Sequence, residues 1–141
     1  MGGVVTVAIA LGSNLGNREA HLNQAVQELR AILRDVRVSS FINTAPVDVL
    51  EPQPDYLNAV VVGRTALSAR DLLNALLAIE HSHSRERITP RAARTLDLDL
   101  ILYGDDVIDE PGLQVPHPRY REREFVTGPL REIAPELLDR R

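Results

Sequence analysis

No cysteine occurs in the 141 residues, which excludes disulfides, thiolate metal centres and cysteine nucleophiles and suits a reducing cytoplasm. Lysine is absent as well: all sixteen basic residues are arginine, so a phosphate-binding loop built on a lysine is unavailable. There is no tryptophan, and the aromatic complement is three tyrosines and two phenylalanines. The apolar stretch from Val4 to Leu11 is too short to span a bilayer and lacks the basic flank of a signal peptide, so a soluble, cytoplasmic protein is expected. A net charge of −4 argues against coating a long phosphate backbone. Neither nucleic acid nor membrane is an expected partner.

The length suits one domain over residues 1–141, able to bury roughly two-thirds of the surface its unfolded chain exposes. Its most informative stretch is Arg94-Thr95-Leu96-Asp97-Leu98-Asp99-Leu100-Ile101-Leu102. Strict alternation predicts a strand with Leu96, Leu98, Leu100 and Leu102 on one face and Asp97 and Asp99 together on the other. Carboxylates ~5 Å apart repel by roughly 3 kcal/mol at an effective dielectric near 20, so a cation belongs beside them. Mg²⁺, which pairs with carboxylates and substrate phosphates, is the leading explanation; a solvent-facing strand with two hydrated aspartates is the other. Arg85, Arg87, Arg91, Arg94, Arg119, Arg121 and Arg123 gather around this stretch, and guanidinium forks grip phosphate bidentately.

Along the chain, Val4 to Leu11 reads as a buried strand ended by the turn and cap residues Gly12 to Asn17. Leu22, Ala25, Val26, Leu29, Ile32 and Leu33 form the stripe of an amphipathic helix. Val36 to Ile42 is short and β-rich, Asn43 to Asp55 is a proline-bearing loop, and Tyr56 to Thr65 is the next strand. Ser68 and Asp71 open a second helix with Leu72, Leu73, Leu76, Leu77 and Ile79 facing inward, fading near His81 to Ser84. His81 and His83 are poorly spaced for a shared metal and suit cations at that helix's C-terminal dipole. Arg119 and Arg121 read as solvated. Short helical turns are expected after Val107-Ile108. The order predicts an α+β fold, the ferredoxin-like βαββαβ antiparallel sheet with helices packed on it and a short C-terminal helical extension.

With these motifs placed, the chain resembles the 6-hydroxymethyl-7,8-dihydropterin pyrophosphokinase family from about Val5 to Leu137. Five landmarks carry the resemblance in order: Gly12-Ser13-Asn14-Leu15-Gly16, Gln53-Pro54-Asp55-Tyr56-Leu57-Asn58, Glu80 followed by Arg85 and Arg87, Arg94-Thr95-Leu96-Asp97-Leu98-Asp99-Leu100, and Val115-Pro116-His117. The resemblance implies a folate-pathway transferase that moves pyrophosphate from ATP to a pterin alcohol. Asp97 and Asp99 would hold two Mg²⁺ ions, with Arg85 and Arg94 as catalytic-loop arginines. Glu80, Arg87, Leu100, His117 and Arg123 fall at nucleotide-contacting positions. Tyr56 and Phe125 would sandwich the pterin, Asn58 would read its edge, and Thr44 with Val47 would line the same pocket. Small-molecule substrates and a monomer or weak homodimer are the expected partners and state.

Three departures stand out. Arg91-Ala92-Ala93 replaces the family's usual tryptophan and proline, weakening the implied hydrophobic closure over the substrates. Ala45 stands where a proline is common, and Pro118 where an aromatic is common. Two other readings of the residues remain open. Paired carboxylates on such a sheet also suit nucleotidyl transfer, which would release pyrophosphate rather than AMP. A non-catalytic ligand-sensing or RNA-binding module of the same fold is the other; RNA binding predicts exposed aromatics on the central strands, and Thr95 to Leu102 has none.

Overall fold

The computed structural model of the chain describes residues 3–45, 53–83 and 95–138. Strand β1 (Val5–Ser13) lies inside an antiparallel sheet between β4 (Tyr56–Thr65) and β5 (Asp97–Tyr103). On the far side of β4 lie β2 (Arg34–Val38) and β3 (Ile42–Thr44), giving the order β2-β4-β1-β5 with β3 also paired to β4. Helix α1 (Arg18–Ile32) starts at Asn17, whose side chain accepts the Ala20 N–H at 3.0 Å. Helix α2 (Ala69–His83) starts after Ser68, whose hydroxyl accepts the Asp71 N–H at 3.1 Å.

Both helices bury their apolar stripes on the same face of the sheet. Leu22, Ala25, Val26 and Leu29 of α1 and Leu72, Leu76 and Ile79 of α2 pack with Val7, Ile9, Leu11, Val61, Leu98 and Leu100. One stripe residue departs from expectation: Leu77 is 51% exposed, because the inward face of α2 follows Leu72, Leu76 and Ile79 and turns Leu77 outward. A second core on the opposite face joins Ala8, Val60, Val62, Ile101 and Leu102 to α3 (Glu124–Ile133) and α4 (Pro135–Leu138) through Val126, Leu130, Ala134 and Leu137. The fold is thus α+β, with helices covering both sides of the sheet.

The alternation expected through Leu102 breaks inside β5. Ile9 pairs with Leu100 but Ala8 pairs with Leu102, so Ile101 is an inserted residue, a β-bulge. The extra residue resets the two-residue period, which leaves Leu96, Leu98 and Leu100 in the helix-side core and sends both Ile101 and Leu102 to the other core. Beyond β5 the chain is less helical at first than its prolines suggest: β6 (Ile108–Glu110) and β7 (Leu113–Val115) form a hairpin turned at Gly112, where φ is +74°. The Val115–Pro116 peptide is cis. A 3-10 turn at Tyr120–Glu122 then leads into α3. That helix is tied to the sheet's far edge by Glu132, which accepts the Ser40 N–H and hydroxyl, and by Arg37, which donates to the Ile133 carbonyl at 2.7 Å.

Candidate functional site

Towards the C-terminal end of β1, the described residues leave the face that carries α3 uncovered. Across three strands the register aligns Asn58 with Gly12 and Gly12 with Asp97, while Ala10 aligns with Asp99. The central strand offers only small side chains here, which leaves room above it. A Cβ added at Gly12 would lie 3.1 Å from Asn58 Oδ1 and 3.3 Å from Tyr56 Cδ1, closer than most carbons pack. Above this floor is a cavity of about 570 Å³, within the range of small-molecule sites. Its walls include Thr44 and Tyr56 on one side, Asp97 and Asp99 on the other, and Arg123 and Phe125 from the start of α3. A second hollow of about 490 Å³ near α4 has Arg121 and Arg131 but neither carboxylate nor aromatic ring.

The polar groups of the cavity are held from behind. Asn58 is nearly buried, and its amide donates to the Thr44 hydroxyl, giving the mid-strand amide the partner its burial demands. Asn14, fully buried, donates to Gln53 Oε1 at 3.0 Å and to the Pro54 carbonyl at 3.2 Å. Arg18 donates to the Asp55 carbonyl at 2.8 Å, and Asn43 donates to Asp55 Oδ2 at 2.7 Å. The turn after β1 therefore acts as a bracket that aims the segment leading into Tyr56. At the other wall the Arg123 guanidinium lies 5.8 Å from the Phe125 ring centroid, a cation–π contact that places a guanidinium fork beside an aromatic face.

Asp97, Asp99, Glu122 and Glu124 line the cavity together with Arg119 and Arg123, and Glu122 Oε1 lies 3.8 Å from Arg119 Nε. Among the described residues no group of three or more His, Cys, Asp or Glu side chains could hold a metal by itself. Two aspartates form an incomplete oxygen shell, the donor set of a hard cation that takes one or two carboxylates and completes its octahedron with water and phosphate oxygens. The residues present fit such an ion.

The family model for 7,8-dihydro-6-hydroxymethylpterin-pyrophosphokinase matches residues 8–135. The chain belongs to this family. A 2-amino-4-hydroxy-6-hydroxymethyldihydropteridine pyrophosphokinase of Synechocystis is 42% identical over 135 residues, covering 94% of this chain and 68% of the relative. The enzyme of the same description from Haemophilus influenzae is 40% identical over 137 residues, covering 96% of this chain and 85% of the relative. A mitochondrial folate synthesis bifunctional protein of Arabidopsis thaliana is 40% identical over 134 residues, 94% of this chain and 24% of the relative.

Of the residues expected to serve a pyrophosphokinase, Thr44, Tyr56, Asn58, Asp97, Asp99, Arg123 and Phe125 line the one cavity. Val47, Arg85, Arg87 and Arg94 lie outside the described residues. Three lie away from the cavity walls. Glu80 accepts the Leu98 N–H at 2.7 Å, and the His117 ring contacts the Pro118 carbonyl at 2.7 Å. Leu100 directs its side chain into the helix-side core. The sequence reading missed Glu122 and Glu124 as wall residues. Arg119 is exposed, as expected, and also lines the cavity, on a left-handed backbone with φ +71°, a conformation that sequence spacing does not reveal.

His83 departs from the simple dipole role. Its ring turns inward, with Nδ1 2.9 Å from His21 Nδ1 and Nε2 2.8 Å from Glu28 Oε1. A carboxylate only accepts, so His83 Nε2–H donates to Glu28 Oε1. Burial and the neighbouring His83 hold the His21 pKa below its ordinary value.

Proposed function

We propose that this chain transfers the pyrophosphoryl group of ATP to the hydroxymethyl oxygen of 6-hydroxymethyl-7,8-dihydropterin, yielding the pterin diphosphate and AMP for folate synthesis. Membership of the pyrophosphokinase family supports the reaction. The observation that carries its location is the convergence, in one cavity, of an amide and hydroxyl pair, two aromatic rings, two aspartates and an arginine fork.

The pterin is flat and polar, so it needs ring faces and a few directional partners. Tyr56 and Phe125 supply the faces, Asn58 and Thr44 the hydrogen bonds, and Val47 further lining. Asp97 and Asp99 would hold two Mg²⁺ ions, which would supply neutralising charge for the phosphoryl oxygens of the triphosphate. Arg85, Arg87, Arg94 and Arg123 grip the phosphates, and Glu80, Leu100 and His117 serve the nucleotide side. Phosphoryl transfer asks little covalent help from a protein. The work of these side chains is to align the hydroxyl with the β-phosphorus and to offset charge.

We also read the sheet order and the pairing of α1 with α2 on one face as the ferredoxin-like arrangement. We likewise read the chain as one domain that acts as a monomer or weak homodimer, and ATP as co-substrate suits the cytoplasm. Incubation with ATP, Mg²⁺ and the pterin alcohol tests the reading. Equal amounts of AMP and pterin diphosphate are expected; pyrophosphate release would favour nucleotidyl transfer, and no pterin-dependent product would refute both.

A further inference from the structure

Among the described residues β5 ends the sheet order, so amides pointing away from β1 have no neighbouring strand there to bond. An unpaired backbone N–H in a buried strand is costly, and Leu98 is buried. Its N–H donates instead to Glu80 Oε2, 2.7 Å away on the last turn of α2. The bonded amide belongs to the peptide unit joining Asp97 to Leu98, so the contact grips the backbone between the two carboxylates. The same helical turn takes hold a second time, where the Thr95 hydroxyl donates to the His83 carbonyl, two residues ahead of Asp97.

We propose that Glu80 is a positioning residue: its carboxylate caps the edge amide of Leu98 and so fixes the spacing and aim of Asp97 and Asp99 towards the cation they bind. The proposal rests on the assignment of these aspartates to metal given above. It separates two properties of Glu80, reach and charge. Gln keeps the reach and an acceptor oxygen without the charge. Asp keeps the charge but is one methylene too short for a 2.7 Å contact from the same backbone.

Amide hydrogen exchange on the ligand-free protein reads the contact directly. In Glu80→Ala and Glu80→Asp the Leu98 amide should exchange at least ~10-fold faster, the scale of losing a charge-assisted hydrogen bond, while β1 and β4 amides stay protected and report an intact fold. Glu80→Gln should hold Leu98 near wild type. Mn²⁺ titration with a non-hydrolysable ATP analogue, followed by water-proton relaxation, should show half-saturation raised about 10-fold in the Ala and Asp variants and largely rescued in Gln. Unchanged Leu98 exchange in Glu80→Ala overturns the proposal. So does a titration in which Asp rescues and Gln does not, which would make Glu80 a charged ligand. Should wild-type protein itself bind no Mn²⁺ with the analogue, the metal assignment fails, and the exchange data still decide the Glu80 contact.

Discussion

The two faces of β1 are drawn from the same nine residues and do opposite things. Val7, Ile9 and Leu11 fill the space under α1 and α2, each 2% exposed or less. Ala8, Ala10 and Gly12, on the other face, shrink along the strand until nothing projects above the backbone. The flanking strands change in step: Val62 and Val60 give way to Asn58, and Ile101 gives way to Asp99 and Asp97. One face is thus uniform and holds the molecule together. The other is graded, apolar where α3 covers it and polar where the cavity opens. Emptying the centre of the sheet of side chains makes room for a ligand without weakening the face beneath.

The sharpest way to break this comparison is at the aspartates. Asp97→Ala or Asp99→Ala should cut turnover by at least ~10²-fold with the melting temperature nearly unchanged, because each would remove a proposed metal ligand from a face that carries little packing. Near-normal turnover in both would remove them from the site. The converse change, Ile9→Ala, should cost about 2–5 kcal/mol in denaturant unfolding, while activity per folded molecule stays within a few fold. Next in size is Gly12→Ala, whose new Cβ would press on Asn58 Oδ1 at 3.1 Å. Pterin affinity should fall about 10-fold by calorimetry and ATP-analogue affinity much less; equal losses would mean the floor is shared by both ligands.

The smallest expected effect lies away from the cavity, at His21. Its native pKa is lowered by burial and by His83, so the unfolded chain binds the proton more readily. Stability is therefore full above the ordinary value of 6.5 and declines as pH falls below it, levelling once the native value is passed. Melting temperatures taken across that range should drift downward on acidification, and His21→Gln should flatten the drift.

Much of this layout was legible in the sequence, because periodicity reports which face a residue takes. The apolar stripe of α1, that of α2 apart from Leu77, the limits of β4 and the pairing of Asp97 with Asp99 on one face follow from local pattern alone. Family resemblance added Thr44, Tyr56, Asn58, Arg123 and Phe125, which share no local signal and meet only through folding. What stayed hidden depends on register or on distant contacts. The Ile101 bulge leaves no trace in a run of Leu and Ile that suits either face. His21 and His83 are 62 residues apart, so their contact has no sequence signature. Resemblance put Glu80 at a nucleotide-contacting position, and nothing in the local pattern showed that a strand's edge amide also lies within its reach.

The account stands or falls on what occupies the polar end of the graded face. A crystal structure with Mg²⁺, a non-hydrolysable ATP analogue and the pterin alcohol should show the ion bound to Asp97 and Asp99 and to phosphate oxygens, with the heterocycle between Tyr56 and Phe125. Ligands bound elsewhere, with that end of the sheet filled only by water, would contradict it.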